Sequence, residues 1–142
     1  MQIREIMTED VKVIQPDTSV KDAAKIMKDL DVGVLPVTNG RELAGILTDR
    51  DIVIRSTAEG SNPVEVKAGD IISRDVAMCH DNDTVETAAE RMRKNKIRRL
   101  PVVDRGNQLV GIVSLGDVAV EADESMAGET LEEISKPNQP DR

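Results

Sequence analysis

The chain has 142 residues, 39% apolar and 32% charged, with a formal net charge of −8 and no Phe, Tyr or Trp. That length can bury a core of Val, Ile, Leu, Met and Ala, while the acidic balance and the lack of rings on which bases could stack argue against nucleic acid as a partner. The single Cys79 and the single His80 are neighbours, which excludes an internal disulfide and leaves no ligand set for a structural metal, and no apolar run reaches the length of a membrane span.

The first residues show no signal-peptide pattern, so a cytoplasmic location is the expectation. An extended piece is predicted over 11–14. Val20, Ala23, Ala24 and Met27 then follow the i, i+3, i+4, i+7 stripe of an amphipathic helix, with Ser19 and Asp22 placed to start it. Two strands are predicted over 32–38 and 42–47. They are joined at Asn39 and Gly40, a dipeptide that favours a two-residue hairpin. A further helix begins near Thr48, and a polar linker over 56–62 precedes Pro63.

The same order then returns. An extended piece over 76–79 leads to a helix striped by Val85, Ala88, Ala89 and Met92, with Asp83 and Glu86 spaced as a capping box. Strands over 97–103 and 108–113 flank a turn at Asp104 to Asn107, and a last helix begins near Ser114. Residues 125–142 are polar and contain Pro137 and Pro140, and are expected to form a mobile tail. Leu131 and Ile134 could at most form one docked turn.

This is a duplication. Val20, Ala23, Ala24 and Met27 reappear as Val85, Ala88, Ala89 and Met92; Leu35, Pro36 and Val37 as Leu100, Pro101 and Val102; Gly45 and Ile46 as Gly111 and Ile112. The expected fold class is α+β: two β-α-β-β-α repeats, 1–61 with the linker and 62–124, packed sheet to sheet with pseudo-twofold symmetry and followed by the 125–142 tail. Such a pair has a cleft with two equivalent positions.

Each position carries one copy of a Thr/Ser-x-x-Asp stretch, Thr48 to Asp51 and Ser114 to Asp117. Two readings of it are open. Hydroxyl and carboxylate three residues apart form a capping box, although the usual reciprocal partner is Glu or Gln and Asp is a methylene shorter. Alternatively, the carboxylate accepts both hydroxyls of a ribose, and the helix start with Arg50, Arg98 and Arg99 holds phosphate. In a strand, Arg98 and Arg99 point to opposite faces, so only one of them is expected to face a given cleft. The repeats differ here, since Gly33 and Val34 stand where the second has Arg98 and Arg99, and Gly116 stands where the first has Arg50. No nucleophile–base pair, Walker loop or GxGxxG occurs, so no enzymatic activity is expected.

The stretches Ile6 to Thr8, Val32 to Val37, Gly45 to Ile52, Ile97 to Asp104 and Gly111 to Asp117 resemble tandem cystathionine β-synthase (CBS) domains, the pair called a Bateman module. Small stand-alone bacterial members, including hypoxic response and general stress proteins, look most similar. The resemblance implies a regulatory module that binds an adenosine nucleotide (AMP, ADP, ATP, NAD or S-adenosylmethionine) between repeats. It implies no obligatory cofactor, a homodimer, and an unidentified protein partner. Carried over residue by residue, it implies that Asp51 and Asp117 take ribose, with Thr48, Arg50, Ser114, Arg98 and Arg99 at the ribose or phosphate. Val11, Val13, Leu35, Pro36, Val76, Met78 and Pro101 would border the rest of the ligand. The alternative is an unliganded homodimeric scaffold in which the two stretches only cap helices.

Overall fold

The computed structural model describes residues 1–121 and 124–136. The first repeat provides α1 (Val20–Leu30), β1 (Val34–Asn39), β2 (Glu42–Thr48) and α2 (Asp49–Ile52), the last running on into a π-helical turn, Val53–Thr57. A short helix, α3 (Ala68–Ile71), follows. The second repeat provides β3 (Cys79–His80), α4 (Val85–Asn95), β4 (Arg99–Val103), β5 (Leu109–Ser114) and α5 (Leu115–Glu121), and α6 (Glu124–Ser135) comes last.

Local chemistry sets the element ends, and it does so twice. The Ser19 hydroxyl accepts from the Asp22 amide at 3.1 Å and caps α1. In α4 the cap is Thr84, whose hydroxyl accepts from the Thr87 amide at 3.2 Å, and not the expected Asp83. The Asp83 carboxylate instead accepts from the His80 amide at 2.8 Å and from Arg91 at 3.0 Å, which fixes the turn before the helix. Both helices stop at a residue in the left-handed region, Asp31 (φ 54°) and Lys96 (φ 55°). The next amides, Val32 and Ile97, donate back to Met27 and Met92, each at 3.0 Å, the Schellman closure that satisfies a terminal carbonyl.

The strands are shorter than predicted at the leading edges. Over 11–14 only Ile14 pairs, in a parallel bridge to Val37, and over 76–79 only Cys79 does, joined by His80 in parallel pairing to Val102 and Val103. β1 and β2 form the expected antiparallel hairpin, turning at Gly40 (φ 68°).

Each core is built around one repeat, but its members are not contiguous in sequence. One compact unit comprises Met1–Val11, Ala77–Arg105 and the described residues from Val110; the other comprises Lys12–Val76 and Gly106–Leu109. These units cut across the expected boundaries of 1–61 and 62–124. Ile3 and Ile6 are buried with Val85, Ala88, Met92, Leu100 and Val113. Ala68, Ile71 and Ile72 are buried with Val20, Ala23, Leu35, Val37 and Leu47. Fully burying one such aliphatic side chain is worth about 1.5–3 kcal/mol, so the leading segment of each repeat is a substantial part of the other repeat's unit. Reciprocal backbone bonds hold these segments: Thr8 with Ile112 at 2.8 and 2.9 Å, Ser73 with Ile46 at 3.0 and 3.1 Å. Each contact requires a glycine beside it, because a Cβ on Gly45 would stand 2.5 Å from the Ser73 carbonyl and one on Gly111 2.8 Å from that of Thr8.

The expected mobile tail is corrected from its start. α6 is helical over Glu124–Ser135 and packs on α4 and α5, with Ile134 set against the buried cluster of that unit. Of the pair Leu131 and Ile134, Ile134 makes the contact with the core and Leu131 stays largely exposed. The remainder of the expected tail, 137–142, lies outside the described residues.

Candidate functional site

Both Thr/Ser-x-x-Asp stretches close as capping boxes. The Asp51 amide donates to the Thr48 hydroxyl and the Thr48 amide to the Asp51 carboxylate, each at 3.0 Å. The Asp117 amide donates to Ser114 at 3.1 Å and the Ser114 amide to Asp117 at 2.8 Å. The shorter Asp side chain therefore does reach back, contrary to the argument from its length. One carboxylate oxygen in each box is committed to the backbone, and the question becomes what the other one meets.

The repeats answer differently. In the first, the second oxygen of Asp51 lies 3.8 Å from Nε of Arg55, and Arg55 also donates to the carbonyls of Ile71 and Ile72 at 3.2 and 3.5 Å. Asp51 is buried and already has its own cation. In the second repeat the position of Arg55 is taken by Glu121, and among the described residues no basic group forms an ion pair with half-buried Asp117.

The charge in front of the two boxes is also opposite. In the first repeat the Asp49 amide donates to the Gly33 carbonyl at 2.9 Å, and its carboxylate leans over that glycine, 2.9 Å from where a Cβ would be. Asp49 also accepts from the Arg50 amide at 2.8 Å. The second repeat repeats the backbone contact, Leu115 amide to Arg98 carbonyl at 2.8 Å, but Leu115 has no carboxylate to place there. The amide of Gly116 is thus not taken by its neighbour's side chain, and the cations are Arg98 and Arg99.

These residues line a cavity of about 640 Å³, whose walls are Arg98, Arg99, Ser114, Leu115, Gly116, Ala119, Gly128 and Leu131. Its size lies within the range of small-molecule sites. Both arginines face it, against the expectation that strand alternation would send one away. The reason is that β4 starts at Arg99, so Arg98 precedes the strand and escapes the alternation. Among the described lining residues no carboxylate occurs, so the wall is cationic in an acidic protein.

The structure brings Arg98, Arg99 and Ser114 together, with Asp117 one helical step behind Ser114. It keeps Thr48, Arg50 and Asp51 in the first repeat's unit, Arg50 exposed. Leu35 is corrected: it is 1% exposed and belongs to the first repeat's core, where strand alternation turns it inward. Pro36 and Pro101 are buried within their strands, and the Pro36 carbonyl accepts from Ile14 at 3.1 Å. Val11, Val13, Val76 and Met78 are half-buried. The Met78 carbonyl accepts from Arg91 at 2.8 Å. Sequence reasoning missed Leu115, Gly116, Ala119, Gly128 and Leu131 as cavity walls and Arg55 as the partner of Asp51. The i, i+4 spacing of Asp51 and Arg55 was the one signal available for the last.

Cys79 is not a reactive centre. It is fully buried, and burial together with the nearby Asp83 carboxylate pushes its thiol up to about 12, partly offset by Arg91. Among the described residues no three His, Cys, Asp or Glu side chains converge as metal ligands, and no helix is long and apolar enough to cross a membrane.

The family model described as CBS domain matches residues 3–56 and 68–124. The chain is 39% identical over 137 residues, 96% of either protein, to the CBS domain-containing protein YhcV of Bacillus subtilis. Its fold is similar to that of Hypoxic Response Protein I with two coordinated zinc ions (TM-score 0.78, 32% identity, 85% of this chain and 98% of that one). It is also similar to CBSX2 in complex with AMP (TM-score 0.74, 28% identity, 87% of this chain and 97% of that one).

Proposed function

The chain belongs to the CBS-domain family, with two copies in tandem, and from that premise we propose that it is a non-enzymatic regulatory module whose second repeat binds an adenosine nucleotide. One observation carries the reading: Arg98, Arg99, Ser114 and Gly116 converge on one cavity with no carboxylate among its described walls. Two guanidiniums suit phosphate oxygens. Asp117 is not itself a wall of the cavity; its capping box holds the Ser114 hydroxyl at the wall, and Asp117 is proposed to support the ligand through Ser114. The AMP complex of CBSX2, a relative in fold and sequence, supports the choice of adenosine.

For the first repeat the caps-only reading is favoured by a specific contact, that of Arg55 on Asp51. A ribose there would have to displace a cation that also holds two backbone carbonyls. The module is therefore asymmetric, with one site for ligand and one for structure. We extend the reading to a cytoplasmic homodimer that passes nucleotide occupancy to a protein partner under stress. The exposed Ile54 and Val120, at matching positions of the two repeats, support self-association.

A chain without Trp or Tyr barely absorbs in the near ultraviolet, so a purine is easy to detect against it. Nucleotide-dependent thermal shift, with AMP, ADP, ATP, NAD and S-adenosylmethionine in parallel, tests the reading. At least one should raise the melting temperature, and the rise should vanish in the Arg98→Ala, Arg99→Ala double variant. No shift with any of the five at millimolar concentration would refute it.

A further inference from the structure

α6 begins where the second family match ends, at residue 124, and runs on beyond it to Ser135. Nothing about the family repeat accounts for it, yet two of its residues, Gly128 and Leu131, line the cavity. Ile134 packs on the unit's core and the helix contacts α4 and α5. Glu133 pairs with Lys136 at 2.9 Å and also feels the positive charge of Lys96 and Arg93 at the end of α4.

Gly128 needs an explanation. It sits inside a helix, where glycine is the poorest choice after proline. Its φ is not positive and a Cβ there would meet nothing within 4 Å, so neither backbone geometry nor a close neighbour calls for glycine. What a side chain at 128 would do is enter the cavity. Leu131 is 41% exposed, although it is a large aliphatic residue on the docked side of the helix. Together with Leu115 and Ala119 it makes one part of the cavity apolar, while Arg98 and Arg99 make another part cationic.

We propose that α6 is a wall of the second-repeat site: Leu131, with Leu115 and Ala119, contacts the base or sugar of a nucleoside phosphate whose anion lies on Arg98 and Arg99, and Gly128 keeps the space for it open. Gly128 and Leu131 are then specificity-determining residues that the family repeat does not supply. The inference rests on the second-repeat nucleotide reading above. A cavity of about 640 Å³ persists with α6 docked, so the helix lines the site rather than filling it.

The test is calorimetric titration of the full chain with AMP, using three variants. Gly128→Leu strengthens the helix and puts a side chain into the part of the cavity beside Leu131 where the base or sugar is placed, so AMP affinity should fall at least about tenfold while the helical signal and melting temperature hold or rise. Gly128→Ala adds one methyl and should change affinity by less than about threefold. Leu131→Ala removes apolar contact and should weaken binding by about three- to tenfold. AMP affinity of Gly128→Leu equal to wild type, with the Arg98→Ala, Arg99→Ala variant impaired, overturns this inference alone. Tighter binding by Leu131→Ala would mean that α6 occludes the site, and also overturns it. No binding by the wild-type chain overturns both this inference and the reading on which it rests.

Discussion

Gly45→Ala is the sharpest test of how the leading segments are held. The added Cβ would stand 2.5 Å from the Ser73 carbonyl oxygen and 3.0 Å from the Ile72 side chain, and the first of these is backbone that cannot rotate away. The segment must retreat, which breaks the reciprocal Ile46–Ser73 bonds at 3.1 and 3.0 Å. Two such bonds are worth about 1–3 kcal/mol together, and partial exposure of Ile72 adds about 1 kcal/mol. A loss of about 2–4 kcal/mol is expected, a large share of the ~5–15 kcal/mol that holds a typical domain. Gly111→Ala should cost less, because one of its two contacts at 2.8 Å is the flexible end of Met7. Urea unfolding followed by far-ultraviolet circular dichroism gives the losses, and hydrogen exchange at the Ser73 amide gives the mechanism. A Gly45→Ala chain within about 0.5 kcal/mol of wild type, or one with undiminished Ser73 protection, would refute the reasoning.

Asp51→Ala and Asp117→Ala should each cost about 0.5–2 kcal/mol in denaturant, as lost caps do, but only Asp117→Ala should reduce the nucleotide-induced thermal shift; an equal reduction from both would contradict the assigned asymmetry. The Cys79 thiol, raised from 9.0 to about 12 by burial, is held neutral in the folded chain and ionises more readily once unfolded. Its contribution is thus complete below about pH 9 and is lost as pH rises towards 12. Stability followed across that range should fall in the wild type more steeply than in Cys79→Ala, and a maleimide should label the native chain only at the rate of unfolding. Arg91→Ala removes donors to Met78 and Asp83 at 2.8 and 3.0 Å and should cost about 1 kcal/mol, read from the same urea midpoints.

The parts of the fold fixed by local pattern were legible in the sequence. The helical stripes of Val20 to Met27 and Val85 to Met92, the Asn39–Gly40 turn and the onset of helices at Thr48 and Ser114 all depend on neighbours in sequence. The placement of Ile3 and Ile6 in one core and of Ile71 and Ile72 in the other was not legible, because each partner lies far along the chain and two apolar residues make no periodicity. Gly45 and Gly111 recur in the two repeats, but only the approach of a distant carbonyl explains them. α6 was not legible because its apolar residues, Met126, Ala127, Leu131 and Ile134, sit in a stretch that continues into the polar, Pro-containing 137–142 and has no counterpart in the first repeat. At the candidate site, Arg98, Arg99 and Ser114 were legible as chemistry. Their joint presence on one wall was not, since it depends on β4 starting one residue after Arg98. The pairing of Asp51 with Arg55 had only its i, i+4 spacing as a signal, and the anchoring of Arg55 on the distant Ile71 and Ile72 carbonyls had none.

The central claim is one nucleotide site per chain, in the second repeat. Calorimetric titration with AMP of wild type, of Arg98→Ala, Arg99→Ala and of Thr48→Ala, Arg50→Ala tests it most directly. The account predicts one equivalent bound per chain, lost in the second-repeat variant and kept in the first-repeat variant. Two equivalents, or loss through the first-repeat variant alone, would contradict it.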